Sequence, residues 1–115
     1  MAESSALPVC HSKDEGMGTP EPGLKRQVMS YSPSMMLVRH TMEKGWVGAK
    51  HSHPHEQLIY IVRGEIHFEQ PSGKAVLGPG DSLLIPGGVE HQASAPVIDS
   101  EVLDVFTPMR EDYAV

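Results

Sequence analysis

The sequence has little cysteine and few aromatic rings: Cys10 is its only cysteine, and aromatic residues make up 5% of its 115 residues. A single cysteine excludes an internal disulfide and suits a reducing compartment, so we expect a cytoplasmic protein. Residues 1–10 lack the basic start and the continuous apolar segment of a secretion signal. No apolar run approaches the roughly 20 residues that cross a bilayer, so we expect no membrane partner.

Basic residues are also scarce in this chain. The 9 Lys and Arg residues are outnumbered by 15 Asp and Glu residues, which gives a formal net charge of −6 with neutral histidines. Proteins that bind nucleic acid need clustered cations to neutralise phosphates, and a chain this acidic does not supply them. The composition therefore excludes nucleic acid as a partner and leaves small molecules and proteins.

The sequence contains no long amphipathic helix pattern. Instead, 11 glycines and 10 prolines separate short apolar runs, which lie at residues 34–42, 57–62, 65–69, 82–85 and 97–106. This pattern favours many brief strands, and an antiparallel β-barrel or jelly roll joins such strands with few exposed edges. We predict an all-β fold in one domain over residues 24–115. Residues 1–23 are predicted to form an N-terminal arm that is flexible or packs on another subunit.

Histidines at strand spacing give the strongest chemical signal. Residues two apart on a strand point to the same side, so His51 and His53 direct two imidazoles towards one point. Pro54 then interrupts the strand before Gln57 enters the next one, and His91 follows a Pro-Gly-Gly turn. Three imidazoles and one oxygen donor suit a divalent transition metal ion.

Two spaced motifs resemble those of the cupin family. The first consists of Gly45, His51, His53, Gln57 and Gly64, and the second of Gly80, Pro86, Gly88 and His91. Gln57 stands where the family usually has glutamate, and Ala95 stands where it usually has asparagine. The resemblance implies a cupin-type barrel, or double-stranded β-helix, with one metal ion held by His51, His53, Gln57 and His91. Nickel or zinc is the ion we expect first, with iron, manganese and cobalt as further candidates.

The neutral side chain of Gln57 affects the chemistry of such a site. A carboxylate at this position would reduce the charge of the site by one, whereas an amide leaves the full divalent charge on the ion. The ion is then a stronger Lewis acid towards an anion, a carbonyl or a hydroxyl. High oxidation states need anionic ligands, so Gln57 disfavours an oxygenase without excluding one.

A carboxylate and an aromatic ring alternate near the C-terminus. Asp104 and Phe106 share one face of the predicted last strand with Val102. A carboxylate on an inward face is costly to bury unless it is paired or used. Arg110 follows the strand and can reach back over the barrel mouth. In the alternative arrangement Asp104 faces outward and forms a surface ion pair with Arg110 or Arg39.

Gln57 and the last strand also resemble a narrower group, the KdgF-like cupins of pectin and alginate breakdown. The matching segments are residues 51–57 and 104–112. That group opens 4,5-unsaturated uronates to linear keto-deoxyuronates. The resemblance implies an enzyme acting on a small acidic sugar, in which Asp104 moves protons, Arg110 binds the substrate carboxylate and Phe106 packs on the sugar ring.

Two other functions stay open at this point. One is a metal-dependent oxygenase of the quercetin or diketone type, and the other is a cupin that binds a sugar or effector without turnover. The resemblance to cupins, together with the outward position of Leu103 and Val105, leads us to expect a homodimer. Among the remaining histidines, we expect His55 to orient a ligand or face solvent, and His40 to be structural or exposed.

Overall fold

Ten strands and no helix make up the part of the chain that the computed structural model describes, residues 7–13 and 16–114. The strands are β1 (Gly18–Glu21), β2 (Leu24–Ser32), β3 (Met35–Met42), β4 (Trp46–Val47), β5 (Glu56–Arg63), β6 (Ile66–Gln70), β7 (Gly73–Leu77), β8 (Ser82–Ile85), β9 (Gln92–Ala95) and β10 (Ser100–Thr107). The predicted all-β fold is confirmed. Within the described ranges, nothing forms a helix long and apolar enough to span a membrane.

The strands form two antiparallel sheets. One has six strands in the order β1-β2-β3-β10-β5-β8, and the other has four in the order β4-β9-β6-β7. Apolar side chains from both sheets pack into a shared core, which is the jelly-roll arrangement predicted from the sequence.

Alternation of side chains decides what faces the interior. Every second residue of β10 is buried, starting at Ser100 and including Asp104 and Phe106. Strand β3, its neighbour, buries Val38 and His40 in the same way. Because Asp104 stands opposite Val38 on β3, the inward residues of the two strands lie side by side. Of the two arrangements left open by the sequence, the structure has the one in which Asp104 and Phe106 point inward.

The buried apolar residues form two clusters. The larger one consists of Leu24, Met42, Ile59, Ile61, Ile66, Leu77, Ala95 and Val102. The smaller one consists of Met36, Val38 and Phe106, and the C-terminal residues Met109 and Tyr113 pack against it. The C-terminal segment is thereby held against the same end of the barrel as Phe106.

The six-stranded sheet begins earlier in the sequence than the predicted barrel. Strand β1 lies within the segment predicted as an N-terminal arm, and it pairs with β2 of the same chain. Upstream of β1, the carbonyls of Pro8 and Ser12 accept hydrogen bonds from Ser30 and Gln27 of β2. Residues 1–6 and 14–15 of the predicted arm lie outside the described residues.

Candidate metal centre

The three histidines of the two motifs meet at one end of the barrel. His51 and His91 face each other as an isolated antiparallel bridge, and their backbone N–H groups donate to each other's carbonyls at 3.0 and 2.8 Å. His51, His53 and His91 each offer a ring nitrogen, and these nitrogens lie within 4.8 Å of one another. Metal–nitrogen bonds of about 2.0–2.1 Å allow two ligands of one ion to lie up to about 4.2 Å apart. A small inward movement of the rings is therefore enough to place them on one ion.

Two glycines allow the turn before His91 to pack against the turn after His53. A Cβ on Gly87 would lie 2.3 Å from the carbonyl oxygen of Pro54, so only glycine fits there. Gly88 has a φ of +81°, and its amide donates to the carbonyl of His53 at 2.8 Å. The Pro-Gly-Gly turn therefore joins the two histidine-bearing segments.

Each imidazole is oriented by a backbone carbonyl two residues away. The Nδ1–H groups of His51, His53 and His91 donate to the carbonyls of Ala49, His55 and Val89, at 2.9, 3.0 and 2.9 Å. Because a carbonyl only accepts, Nδ1 carries the proton and Nε2 keeps its lone pair. Burial lowers the pKa of His53 and of His91 below the usual 6.5, which favours the neutral form that metals bind.

The amide of Gln57 is oriented in the same manner. Its Nε2 donates to Oδ1 of Asp104 at 2.7 Å, so its Oε1 is the atom that lies 2.9 Å from Nε2 of His53. These two facing atoms both carry lone pairs, an arrangement that is unfavourable unless a cation is close to both. Three unprotonated imidazole nitrogens and this amide oxygen fit a divalent transition metal ion.

Asp104 is buried at the centre of this polar cluster. Its Oδ2 accepts a hydrogen bond from Nδ1 of His40 at 2.7 Å, and its Oδ1 accepts from Gln57. The surface ion pair considered from the sequence does not form, because Arg39 pairs with Glu101 and Asp104 is only 3% exposed. A buried carboxylate with a donor on each oxygen is satisfied electrostatically and held in one orientation.

Arg110 lies over the aromatic rings at the same end of the barrel. Its guanidinium carbon is 5.1 Å from the centre of the Phe106 ring and 4.0 Å from that of Tyr113. Its Nη2 donates to Oδ2 of Asp112 at 2.8 Å, while Nε donates to the other oxygen. The hydrogen bonds from Arg110 lower the pKa of Asp112. The cation is thus fixed in a partly buried position by rings and by a carboxylate.

One cavity of about 360 Å³ connects these groups. Its lining includes His51, Gln57, His91, Asp104, Phe106 and Arg110. Small-molecule sites usually measure about 300–1,000 Å³. The cavity is therefore large enough for a small molecule, which would lie between the imidazoles, a carboxylate and a guanidinium.

Comparison with known proteins agrees with this architecture. A model of the cupin domain family matches residues 38–106 of the chain. The chain belongs to the cupin family. Its resemblance to KdgF-like cupins is also confirmed. The structure of KdgF from Halomonas sp. is 33% identical, superposes with a TM-score of 0.86, and the match covers 91% of this chain and 98% of that one.

Two further relatives are similar over most of their length. An RmlC-like cupin from Shewanella frigidimarina is 32% identical, with a TM-score of 0.88 and coverage of 94% of this cupin and 96% of that chain. The pectin degradation protein KdgF of Dickeya dadantii is 28% identical over 92 residues, which are 79% of this cupin and 84% of the relative.

The sequence did not assign His40, Tyr113 or Arg26 to this cupin's site, and all three line the cavity. His40, expected to be structural or exposed, is 8% exposed and is hydrogen-bonded to Asp104. A signal was available: His40 has the same parity as the apolar residues Met36 and Val38, which predicts an inward direction. Tyr113 lies beyond the last strand, where side-chain parity gives no information. The backbone carbonyl of His55 accepts a hydrogen bond from Nδ1 of His53, and the role expected for the His55 imidazole stays a prediction.

Proposed function

We propose that this cupin is a metal-dependent enzyme that opens a 4,5-unsaturated uronate to a linear keto-deoxyuronate. The observation that carries the proposal is the shared cavity, in which three of the four candidate metal ligands, a buried carboxylate and an arginine surround one space. The likeness to KdgF from Halomonas sp. and to the pectin degradation protein of Dickeya dadantii supports the same substrate class. Neither sequence motifs nor geometry favour an oxygenase over this reaction.

His51, His53, Gln57 and His91 would hold the metal ion. A divalent ion with four neutral ligands supplies a Lewis acid that stabilises negative charge on substrate oxygens. The backbone carbonyls behind the imidazoles, and Asp104 behind Gln57, would keep these ligands oriented.

Arg110 would bind the carboxylate of the uronate. Its guanidinium already holds the carboxylate of Asp112 through two hydrogen bonds, which is the fork geometry that a substrate carboxylate requires. The side chain of Asp112 is 60% exposed and that of Arg110 is 13% exposed, so Asp112 can turn into solvent when a substrate replaces it. Phe106, beneath the guanidinium, would form an apolar wall beside the sugar ring.

Asp104 would carry the protons of the reaction. It takes the proton of the anomeric hydroxyl while the bond between C1 and the ring oxygen breaks, which leaves an aldehyde at C1 and an enolate at C5. The same proton is then delivered to C4, which gives the keto group at C5. No proton is gained or lost overall, so one carboxylate is sufficient. His40 and Gln57 would hold that carboxylate in place.

Asp104→Asn tests this assignment. The zinc- or nickel-loaded protein is incubated with unsaturated monogalacturonate, and turnover is followed as loss of absorbance from the conjugated double bond. We expect kcat to fall by about 10²–10⁴-fold, as for loss of a general acid–base, while the metal content stays that of the wild type. Glu69→Gln, a surface carboxylate paired with Lys74, is the matched control and should keep full activity.

Three outcomes would contradict the proposed function or part of it. Full activity in Asp104→Asn would remove Asp104 from its role. No turnover by metal-loaded wild type would reject the reaction, and oxygen uptake in the same assay would favour the oxygenase instead.

We also propose that a second copy of the chain covers the outer face of the six-stranded sheet. Leu58, Tyr60 and Leu84 are 48%, 48% and 52% exposed, and Leu58 is registered with Leu84 on the neighbouring strand. An apolar patch of this kind typically marks an interface. Leu58→Glu should convert a dimer to a monomer in sedimentation velocity, whereas Val76→Glu on the other sheet should not. A monomeric wild type would overturn this proposal.

A further inference from the structure

Arg26 lies outside both cupin motifs and contacts two different parts of the site. It is a half-buried residue of β2 and lines the cavity. Its Nε–H donates to Nε2 of His40 at 3.0 Å. Its guanidinium carbon lies 3.7 Å from the centre of the Tyr113 ring. His40 is hydrogen-bonded to Asp104, and Tyr113 contacts Arg110.

The first contact fixes the protonation of His40 and, through it, the position of Asp104. Because Nε2 of His40 accepts from Arg26, the proton of the neutral ring resides on Nδ1. Nδ1–H then donates to Oδ2 of Asp104 at 2.7 Å, and the other oxygen of Asp104 accepts from Gln57. Without Arg26 the ring could exchange its proton to Nε2 or rotate, and Asp104 would lose a donor.

The second contact, between Arg26 and the Tyr113 ring, affects the position of Arg110. The guanidinium carbons of Arg26 and Arg110 lie 3.7 and 4.0 Å from the same Tyr113 ring centre. Both cations therefore contact the same aromatic ring. The pKa of Tyr113 is raised by burial, which keeps the phenol neutral beside the two cations. Arg26 therefore holds the ring against which Arg110 rests.

We propose that Arg26 is a positioning residue that aligns the proton-carrying Asp104 and the carboxylate-binding Arg110 at the same time. This inference rests on the proposed function for the roles of those two residues. Only a planar guanidinium can donate in its plane to His40 while it stacks on Tyr113. Lysine keeps the positive charge but lacks the planar guanidinium group. Arg26→Lys therefore distinguishes the effect of side-chain geometry from the effect of charge.

Steady-state kinetics on unsaturated monogalacturonate distinguish the two contacts. Arg26→Lys should lower kcat about tenfold, through Asp104, and raise KM about tenfold, through Arg110. His40→Phe should lower kcat with little change in KM, and Tyr113→Leu should raise KM with little change in kcat.

A double variant tests whether Arg26 acts on kcat through His40. In the His40→Phe background, Arg26→Lys should cause no further loss of kcat, because the hydrogen bond between Arg26 and His40 is already absent. Arg63→Lys, an exposed arginine paired with Glu101, is the control with unchanged constants.

A spectroscopic measurement tests the inference without turnover. In the zinc-loaded protein, the imidazole nitrogens of His40 should show a protonated Nδ1 and an unprotonated Nε2 by NMR, and Arg26→Lys should shift Nε2. If wild type turns nothing over, the proposed function fails while this measurement still decides the link from Arg26 to His40. A protonated Nε2 in wild type would overturn the inference even if no Arg26 variant folds.

Kinetic results can also overturn it. If Arg26→Lys changes only the melting temperature, Arg26 has a structural role alone. If it changes only kcat or only KM, Arg26 serves one contact and does not align both groups. Arg26→Met, which keeps the length of the stem, repeats the measurement with the charge removed as well.

Discussion

The two ends of the barrel interior are built on the same strands but have opposite chemistry. Along β5, Ile61 faces the apolar core at one end and Gln57 faces the imidazoles at the other. Along β10, Val102 and Asp104 are adjacent inward residues, yet one belongs to the core and the other to the polar cluster. Inward and outward side chains alternate at both ends, although the register between β5 and β10 shifts between Glu101 and Val102 at the apolar end. The fold therefore depends on the alternation of inward and outward side chains, whereas the chemistry depends on which of the inward side chains are polar.

The polar end is compatible with folding because its buried groups are paired. Gln57, His40 and Asp104 are 8%, 8% and 3% exposed, and they form a continuous chain of hydrogen bonds that ends at Arg26. Burying groups that are all hydrogen-bonded to one another costs little free energy compared with leaving them hydrated in the unfolded chain. Removal of one member leaves another buried group without its partner. The apolar end stabilises the fold, and the polar end carries the groups of the proposed site.

The largest expected effect comes from His91→Ala. The substitution removes a proposed metal ligand from the polar end, so metal affinity should fall by more than about 100-fold, the upper range for loss of a group behind a ligand. The free energy of unfolding of the metal-free protein should change little in comparison. Competition with a chelating dye measures the affinity, and urea denaturation measures the stability.

Two controls sharpen this prediction. Ile61→Ala at the apolar end should show the reverse pattern, with about 2–5 kcal/mol less stability and wild-type metal affinity. His67→Ala, which removes an imidazole paired with Glu65 on the outside, should leave both quantities unchanged. Wild-type metal affinity in His91→Ala would mean that the two ends do not divide these tasks.

The sequence was sufficient to predict the fold and the shared face of Val102, Asp104 and Phe106 on β10. Short apolar runs between glycines and prolines predicted β3, β5 and β10, and the motifs that contain His51, His53 and His91 predicted that their rings converge. It was not sufficient for β2, because Leu-Lys-Arg-Gln-Val contains more polar than apolar residues and only Leu24 and Gln27 are buried. Missing β2 also concealed Arg26.

Partners that depend on tertiary contacts were beyond the sequence. His40 and Asp104 are 64 residues apart in the chain, and no local pattern records that their strands are neighbours. The pairing of Arg110 with Asp112 is local, but arginine can reach several acids from one position. Parity restricts where a side chain points, whereas the identity of its partner is fixed only when the sheets assemble.

An intermediate change in the free energy of unfolding is expected when the polar residues at this end of the barrel are replaced with apolar ones. The combined substitution His40→Leu, Gln57→Met and Asp104→Leu replaces a buried network with packed hydrocarbon. Such replacements are often neutral or stabilising by about 1–4 kcal/mol, so the metal-free variant should resist urea at least as well as wild type. Asp104→Leu alone should instead destabilise the protein by about 1–3 kcal/mol, because the donors of His40 and Gln57 lose their acceptor. A triple variant less stable than the single one would show that the network itself stabilises the fold.

The smallest expected effect concerns Tyr113, which closes the polar end. Burial raises the pKa of Tyr113 above its usual value of 10.0, so the folded protein keeps the phenol protonated at a pH where the unfolded chain begins to ionise. The contribution of the protonated phenol to the free energy of unfolding is fully present below about pH 10. It is lost as the pH rises through the pKa of the folded protein, with a slope of at most about 1.4 kcal/mol per pH unit. Urea denaturation of wild type and Tyr113→Phe at pH 8 and at pH 10.5 should show wild type losing more stability between the two conditions. Equal losses in the two proteins would mean that the ring is accessible to water at this end, and that the polar end is more open than the contacts with Arg26 and Arg110 imply.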